Sequence, residues 1–164
     1  MLKIDTFESY TKDITNNDHF KKLKNELHHG ISRYEHSMRV ARWTYKICNL
    51  FKFDNTEEVT RAALLHDFYI NDDLETNGGP KALVEHPRVA LQNSKKYFAI
   101  NDIQEDVIVH HMFPCNLKLP ESKEAFLVSL VDKGVSTFEM LRFKAPLYAS
   151  IYLLFMFELI KISR

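Results

Sequence analysis

"ALLHDFYIND", Ala63 to Asp72, sets an adjacent histidine and aspartate into an apolar segment of helical character and then passes into an acid-rich loop. A single buried imidazole is ordinary in a protein interior. A carboxylate beside it is not, because burying a charge is costly unless a partner or a metal compensates it. The fold therefore turns on which other side chains converge on His66 and Asp67.

Outward from this stretch the chain reads as successive helices, with little period-two alternation and only short β-branched runs. The sequence predicts an all-α fold, a compact helical domain with a metal site between its helices. Helices are expected over Ile4–Leu27, Ser32–Phe51, Thr56–Phe68, Pro87–Ala99, Ile103–Phe113, Ser122–Met140 and Leu147–Lys161. Gly30 suits a stop after the first, Pro87 the first position of the fourth, and Asp102 with Glu105 has capping-box character for the fifth. Between the third and fourth, Asn71–Glu85 carries Gly78, Gly79 and Pro80 in a polar setting and reads as a loop over a site.

With 164 residues, 45% of them hydrophobic and 27% charged, one domain with a real core is expected over residues 1–164. Lysine plus arginine balance aspartate plus glutamate, 22 against 22, so net charge favours neither a nucleic-acid duplex nor an anionic membrane. A small discrete ligand fits that balance better. Cys48 and Cys115 do not make a disulfide framework and read as packing residues, and the start has no apolar export segment. Both features point to a reduced, cytoplasmic setting. The run from Ala145 to Phe157 is almost uninterruptedly apolar but shorter than the ~20 residues of a spanning helix. It reads as a core helix or an oligomer contact, as in a homodimer, ahead of a membrane anchor.

Helical spacing places the ionisable residues. His36, Val40, Trp43, Ile47 and Leu50 follow one face of the second helix, and Val59, Ala62, His66 and Tyr69 one face of the third, with Asp67 at its edge. Ile103, Val107 and His110 share a face on the fifth, and Ala125, Val128, Asp132 and Val135 on the sixth. His86 adds an imidazole at a helix start. Taken singly, each inward histidine is most simply a hydrogen-bonded core residue. Together they would strand several buried polar groups, each costing ~1 to 3 kcal/mol if unsatisfied. A metal ion removes that difficulty.

The ordered set His36, His66 with Asp67, His86, His110 and Asp132, in "YEHSMRVARW", "AALLHDF", "VEHP", "VIVHHMFP" and "SLVDK", resembles the HD-domain superfamily of metal-dependent phosphohydrolases. The resemblance spans about Ser32 to Lys133. It implies a first metal on His36, His66, Asp67 and Asp132. His86 and His110 match the extra histidines of the binuclear subset, in which the aspartate of the HD pair bridges two ions. His111 is a further possible ligand, since a doubled histidine occurs in the HD-GYP cyclic-dinucleotide phosphodiesterases. "HHMFP", however, lacks their glutamate and downstream GYP signature. Nor does an acidic pair follow the HD pair at close range, as in the guanosine tetraphosphate hydrolases; "FYIN" intervenes before Asp72 and Asp73.

The ligand set of imidazole and carboxylate without cysteine suits two divalent transition-metal ions such as Fe, Mn, Co, Ni or Zn. The activity so implied is hydrolysis of a nucleotide or other small phosphoester or phosphoanhydride, with Asp67 at the centre and Arg39 and Lys133 as candidate phosphate clamps. Lys81 and Arg88 are weaker candidates for that role, and His19, His28 and His29 are given none. Two other readings share the ligand order: a mixed-valent di-iron HD oxygenase, and a metal-loaded nucleotide sensor without turnover.

Overall fold

A computed structural model describes residues 6–28, 30–75 and 80–162. The chain forms helices α1 (Phe7–Asn16), α2 (Asp18–Lys21), α3 (Arg33–Leu50), α4 (Thr56–Leu65), α5 (Pro80–Tyr97), α6 (Asp102–His110) and α7 (Lys123–Ile162). Leu27–His28 and Ile31–Ser32 pair as a two-residue antiparallel ladder, β1 and β2. The fold is all-α, as the sequence predicts. At its centre α4 lies against α3 and α6, and α7 closes the bundle over α3, α4 and α6. Ile14, Phe20, Leu23, Val40, Leu64, Leu65, Val107, Ile108 and Val128 form one apolar core.

Capping sets most of the helix starts. Ser32 accepts from the Glu35 amide while the Glu35 carboxylate accepts from the Ser32 amide, which fixes the start of α3 one turn before His36. On α6 the reciprocal pair is Asn101 with Gln104, not the expected Asp102 with Glu105.

Other expectations are corrected. The single first helix is broken at Asn17, whose side chain accepts from the His19 and Phe20 amides and so starts α2 instead of continuing α1. Gly30 turns a hairpin at φ 90° and does not stop a helix. The fourth helix begins at Pro80, which takes the tolerated first position, so Pro87 falls inside it and Lys81 and Glu85 are helical. Gly78 and Gly79 of the expected loop lie outside the described residues. The sixth and seventh expected helices are one continuous α7, with no interruption between Met140 and Leu147.

On α3 the buried residues are Arg33, His36, Ser37, Val40, Ala41, Thr44 and Cys48. Trp43 and Leu50, expected inward, are 50% and 74% exposed. From Ser37 to Cys48 the inward positions are taken by Val40 and by small or hydroxyl side chains, where α4 and α7 pack against α3. Among the described residues, no helix is long and apolar enough to cross a membrane.

Candidate metal centre

Four helices bring buried ionisable groups to one point. His36 comes from α3, His66 and Asp67 from the end of α4, His86 from α5, and Asp132 from α7; all are at most 6% exposed. His111, just past the end of α6, joins them at 1% exposure. Potential ligand atoms group as His36, His66 and Asp67; as His66, His111 and Asp132; and as Asp67, His86 and His111.

His110 does not join the cluster. Its ring pairs with Asp106 one turn back, and that carboxylate also accepts from the Glu121 amide and the Ser122 hydroxyl at the start of α7. The inward face of the segment is Gln104, Val107, Ile108 and His111, so the phase expected from Ile103, Val107 and His110 is off by one residue.

Hydrogen bonding fixes the imidazoles. His66 Nδ1 bonds to the Ala63 carbonyl at 2.7 Å, His86 Nδ1 to that of Ala82 at 2.8 Å and His111 Nδ1 to that of Ile108 at 2.8 Å. A carbonyl only accepts, so each Nδ1 carries a proton and each Nε2 points inward, where in the neutral ring it offers a lone pair. The consequence is unusual. His86 Nε2 and His111 Nε2 stand 3.0 Å apart with no proton between neutral rings, and His66 Nε2 is buried without a hydrogen-bond partner. Burial holds the pKa of His86 below the ordinary imidazole value, and burial with the nearby His66 and His86 holds that of His111 well below it. Protonation is therefore not what relieves the contact.

Cations fit this donor set. Two ligands about 2.1 Å from one ion at right angles are about 3.0 Å apart. That is the separation of His86 Nε2 from His111 Nε2, and also of His36 Nε2 from Asp132 Oδ1. Asp67 faces both halves: Oδ2 lies 3.8 Å from His66 Nε2, and Oδ1 lies 3.5 Å from His86 Nε2 and 3.6 Å from His111 Nε2.

A model of the HD domain family matches residues 33–134, well over half the chain. The chain belongs to the HD domain family. A search of curated proteins and a search of solved structures each found no match. HD domains are generally metal-dependent hydrolases that bind divalent metals.

Around the cluster lie residues that sequence reasoning did not assign. Glu139 is buried two turns beyond Asp132 and accepts from His36 Nδ1 at 2.8 Å, so a carboxylate orients this imidazole where backbone carbonyls orient the others. Its spacing from Asp132 and Val135 on one helical face was the available signal. Arg39, expected as a phosphate clamp, instead pairs with Glu139 behind His36. In the fold its guanidinium holds Glu139. Lys133 does reach the cluster edge, its Nζ 2.7 Å from Asp132 Oδ2 and 2.9 Å from the His111 carbonyl. Tyr69 packs on His86 with ring centroids 5.2 Å apart, and the Arg33 guanidinium lies over the Tyr69 ring at 3.9 Å. Glu139→Gln is expected to weaken divalent-metal affinity 10- to 100-fold, the usual cost of losing an outer carboxylate. Isothermal titration calorimetry checks it, and an unchanged affinity would deny Glu139 that role.

Without metal, His36 titrates in the opposite sense to its neighbours. Burial pushes it down, but hydrogen bonds to Asp132 and Glu139 outweigh burial and raise it from 6.5 to about 10. A raised folded-state pKa adds stability that is complete below about 6.5 and is lost as pH rises towards about 10. Metal-stripped protein should accordingly lose denaturation midpoint over that window, and His36→Gln should flatten the slope. A midpoint independent of pH in the stripped wild type contradicts this ion pairing.

Proposed function

We propose that the protein is a metal-dependent phosphohydrolase with two ion positions sharing Asp67, acting on a nucleotide or another small phosphoester or phosphoanhydride. The observation that carries the reading is the 3.0 Å approach of the His86 and His111 lone pairs beside a carboxylate that also faces His66. One position uses His36, His66, Asp67 and Asp132; the other uses Asp67, His86 and His111. Divalent ions held there supply Lewis acidity and an activated water for in-line displacement at phosphorus.

The chain's own groups do the rest. Ala63, Ala82 and Ile108 carbonyls and the Glu139 carboxylate hold four imidazoles in the tautomer that donates its Nε2 lone pair inward. The Lys133 ammonium, 28% exposed, sets a fixed positive charge at the edge of the cluster, where it favours an anionic phosphoryl group. Burial of the donor set excludes bulk water and strengthens each of these interactions.

A panel of nucleotides, dinucleoside polyphosphates and a generic phosphodiester, assayed with each divalent metal in air and under strict anaerobiosis, tests the proposal. Release of phosphate or nucleotide independent of dioxygen is the expected result. Turnover that consumes dioxygen would move the protein to the oxygenase reading. Tight binding without turnover would move it to the sensor reading.

A further inference from the structure

One turn before His36 on α3, Arg33 is buried with its pairing incomplete. Its Nη1 donates to the Tyr69 carbonyl at 3.0 Å and lies 3.4 Å from the Glu26 carboxylate, and its Nη2 donates to Asn71 Oδ1 at 3.3 Å. Its Nε is buried without a hydrogen-bond partner. Taking a guanidinium out of water with one N–H unsatisfied is costly, and an apolar side chain of similar length would meet a need for packing alone. The charge at this position instead secures Tyr69.

Tyr69 is held at two points. The guanidinium that bonds its carbonyl also lies 3.9 Å from the centroid of its ring. A planar guanidinium stacks and donates at once, whereas a lysine ammonium offers no such plane. The Glu26 carboxylate beside Arg33 also accepts from the Asn71 amide, so Arg33 and the residues after Tyr69 share one anchor. The Tyr69 ring packs in turn on His86, with the two planes 32° apart. His86 depends on that contact more than the other imidazoles of the cluster do. Its Nδ1 bond to the Ala82 carbonyl fixes the tautomer but leaves the ring able to swing about that bond. His36 is bonded at both nitrogens, and His66 and His111 pack edge to face at 4.8 Å. At 6%, His86 is the most exposed of the four.

We infer that Arg33 is a positioning residue for His86, acting through the Tyr69 ring to set the ion position formed by Asp67, His86 and His111; this rests on the two-ion reading above. Asp67 does not depend on Arg33 in the same way, because the segment after it is also held from α5. The Asn93 side chain donates to the Phe68 carbonyl at 3.0 Å and to Asp73 Oδ2 at 2.8 Å. Loss of Arg33 therefore falls on one ion position and spares the other.

Calorimetric titration of the chelator-stripped full chain with manganous ion reads the two positions separately. Arg33→Met is expected to weaken one ion roughly 10- to 100-fold and to leave the other within a few-fold of wild type. Arg33→Lys should behave like Arg33→Met, since the ammonium cannot both stack and donate to the carbonyl. Tyr69→Leu, which leaves Arg33 paired with Glu26 and Asn71, should show the same loss at one position. Tyr69→Phe keeps the ring and should bind both ions within a few-fold of wild type. The two Tyr69 variants carry the test if Arg33→Met does not fold. A merely structural role would loosen both positions together. Variants that bind both ions as tightly as wild type, or weaken both alike, overturn the inference and leave the two-ion reading standing. A loss in Arg33→Met that Tyr69→Leu does not share overturns it too. A wild type that binds fewer than two ions overturns the inference and the two-ion reading together.

Discussion

Asp67→Ala is expected to lower the hydrolytic turnover number by at least ~10³-fold and to strip bound metal from the chain. Removing a single preorganised electrostatic donor from an active site costs roughly 10² to 10³ in turnover. Asp67 stands between both groups of donors, Oδ2 towards His66 and Oδ1 towards His86 and His111, so its loss is felt in both. The fold should tolerate the change, since the apolar core lies around Leu64, Leu65 and Ile108 and does not depend on this carboxylate. Metal-dependent turnover and far-ultraviolet circular dichroism measured on the same preparation separate the two effects. Turnover within a few-fold of wild type would remove Asp67 from the centre of the account.

The second large effect distinguishes adjacent histidines. His111→Ala should leave one ion position with only Asp67 and His86, lowering metal content by about one ion per chain and turnover by on the order of 10²-fold or more. His110→Ala removes a partner of Asp106 on the outer side of α6 and should leave both metal content and turnover within a few-fold of wild type. Elemental analysis of the two variants decides it. The reverse pattern, with His110 needed and His111 dispensable, would mean that α6 is turned by one residue from the arrangement described.

That pair also shows where sequence reading stops. Consecutive helical residues are separated by about 100°, so a one-residue error in phase exchanges an inward histidine for an outward one. Apolar residues at Ile103 and Val107 favour His110. In the fold Ile103 is only half-buried, while Gln104 is 4% exposed and completes the face that ends at His111. A buried glutamine carries no hydrophobic signal, and its place follows from the reciprocal cap with Asn101.

The all-α architecture and the convergence of His36, His66, Asp67, His86 and Asp132 were legible because helical periodicity is local. His86 was placed with them even though its helix starts seven residues earlier than Pro87 suggested. What was not legible depends on packing between distant segments. Arg39 follows His36 by three residues and is close to it on the helix, yet its partner Glu139 is a hundred residues away. The Arg33, Tyr69 and His86 stack joins three separate elements. The outward turn of Trp43 has the same origin: the face of α3 that packs against α4 and α7 is the one through His36, Val40, Thr44 and Cys48, and Trp43 falls off it.

The central claim, that the buried histidines and aspartates hold metal, is tested most directly by the metal content of the wild-type chain itself. Protein stripped with chelator, dialysed against manganous ion and freed of excess should retain about two ions per chain by elemental analysis, with Asp67→Ala treated identically as the background. Metal content in the wild type no higher than in Asp67→Ala would contradict the account, and the 3.0 Å approach of His86 and His111 would then need another explanation.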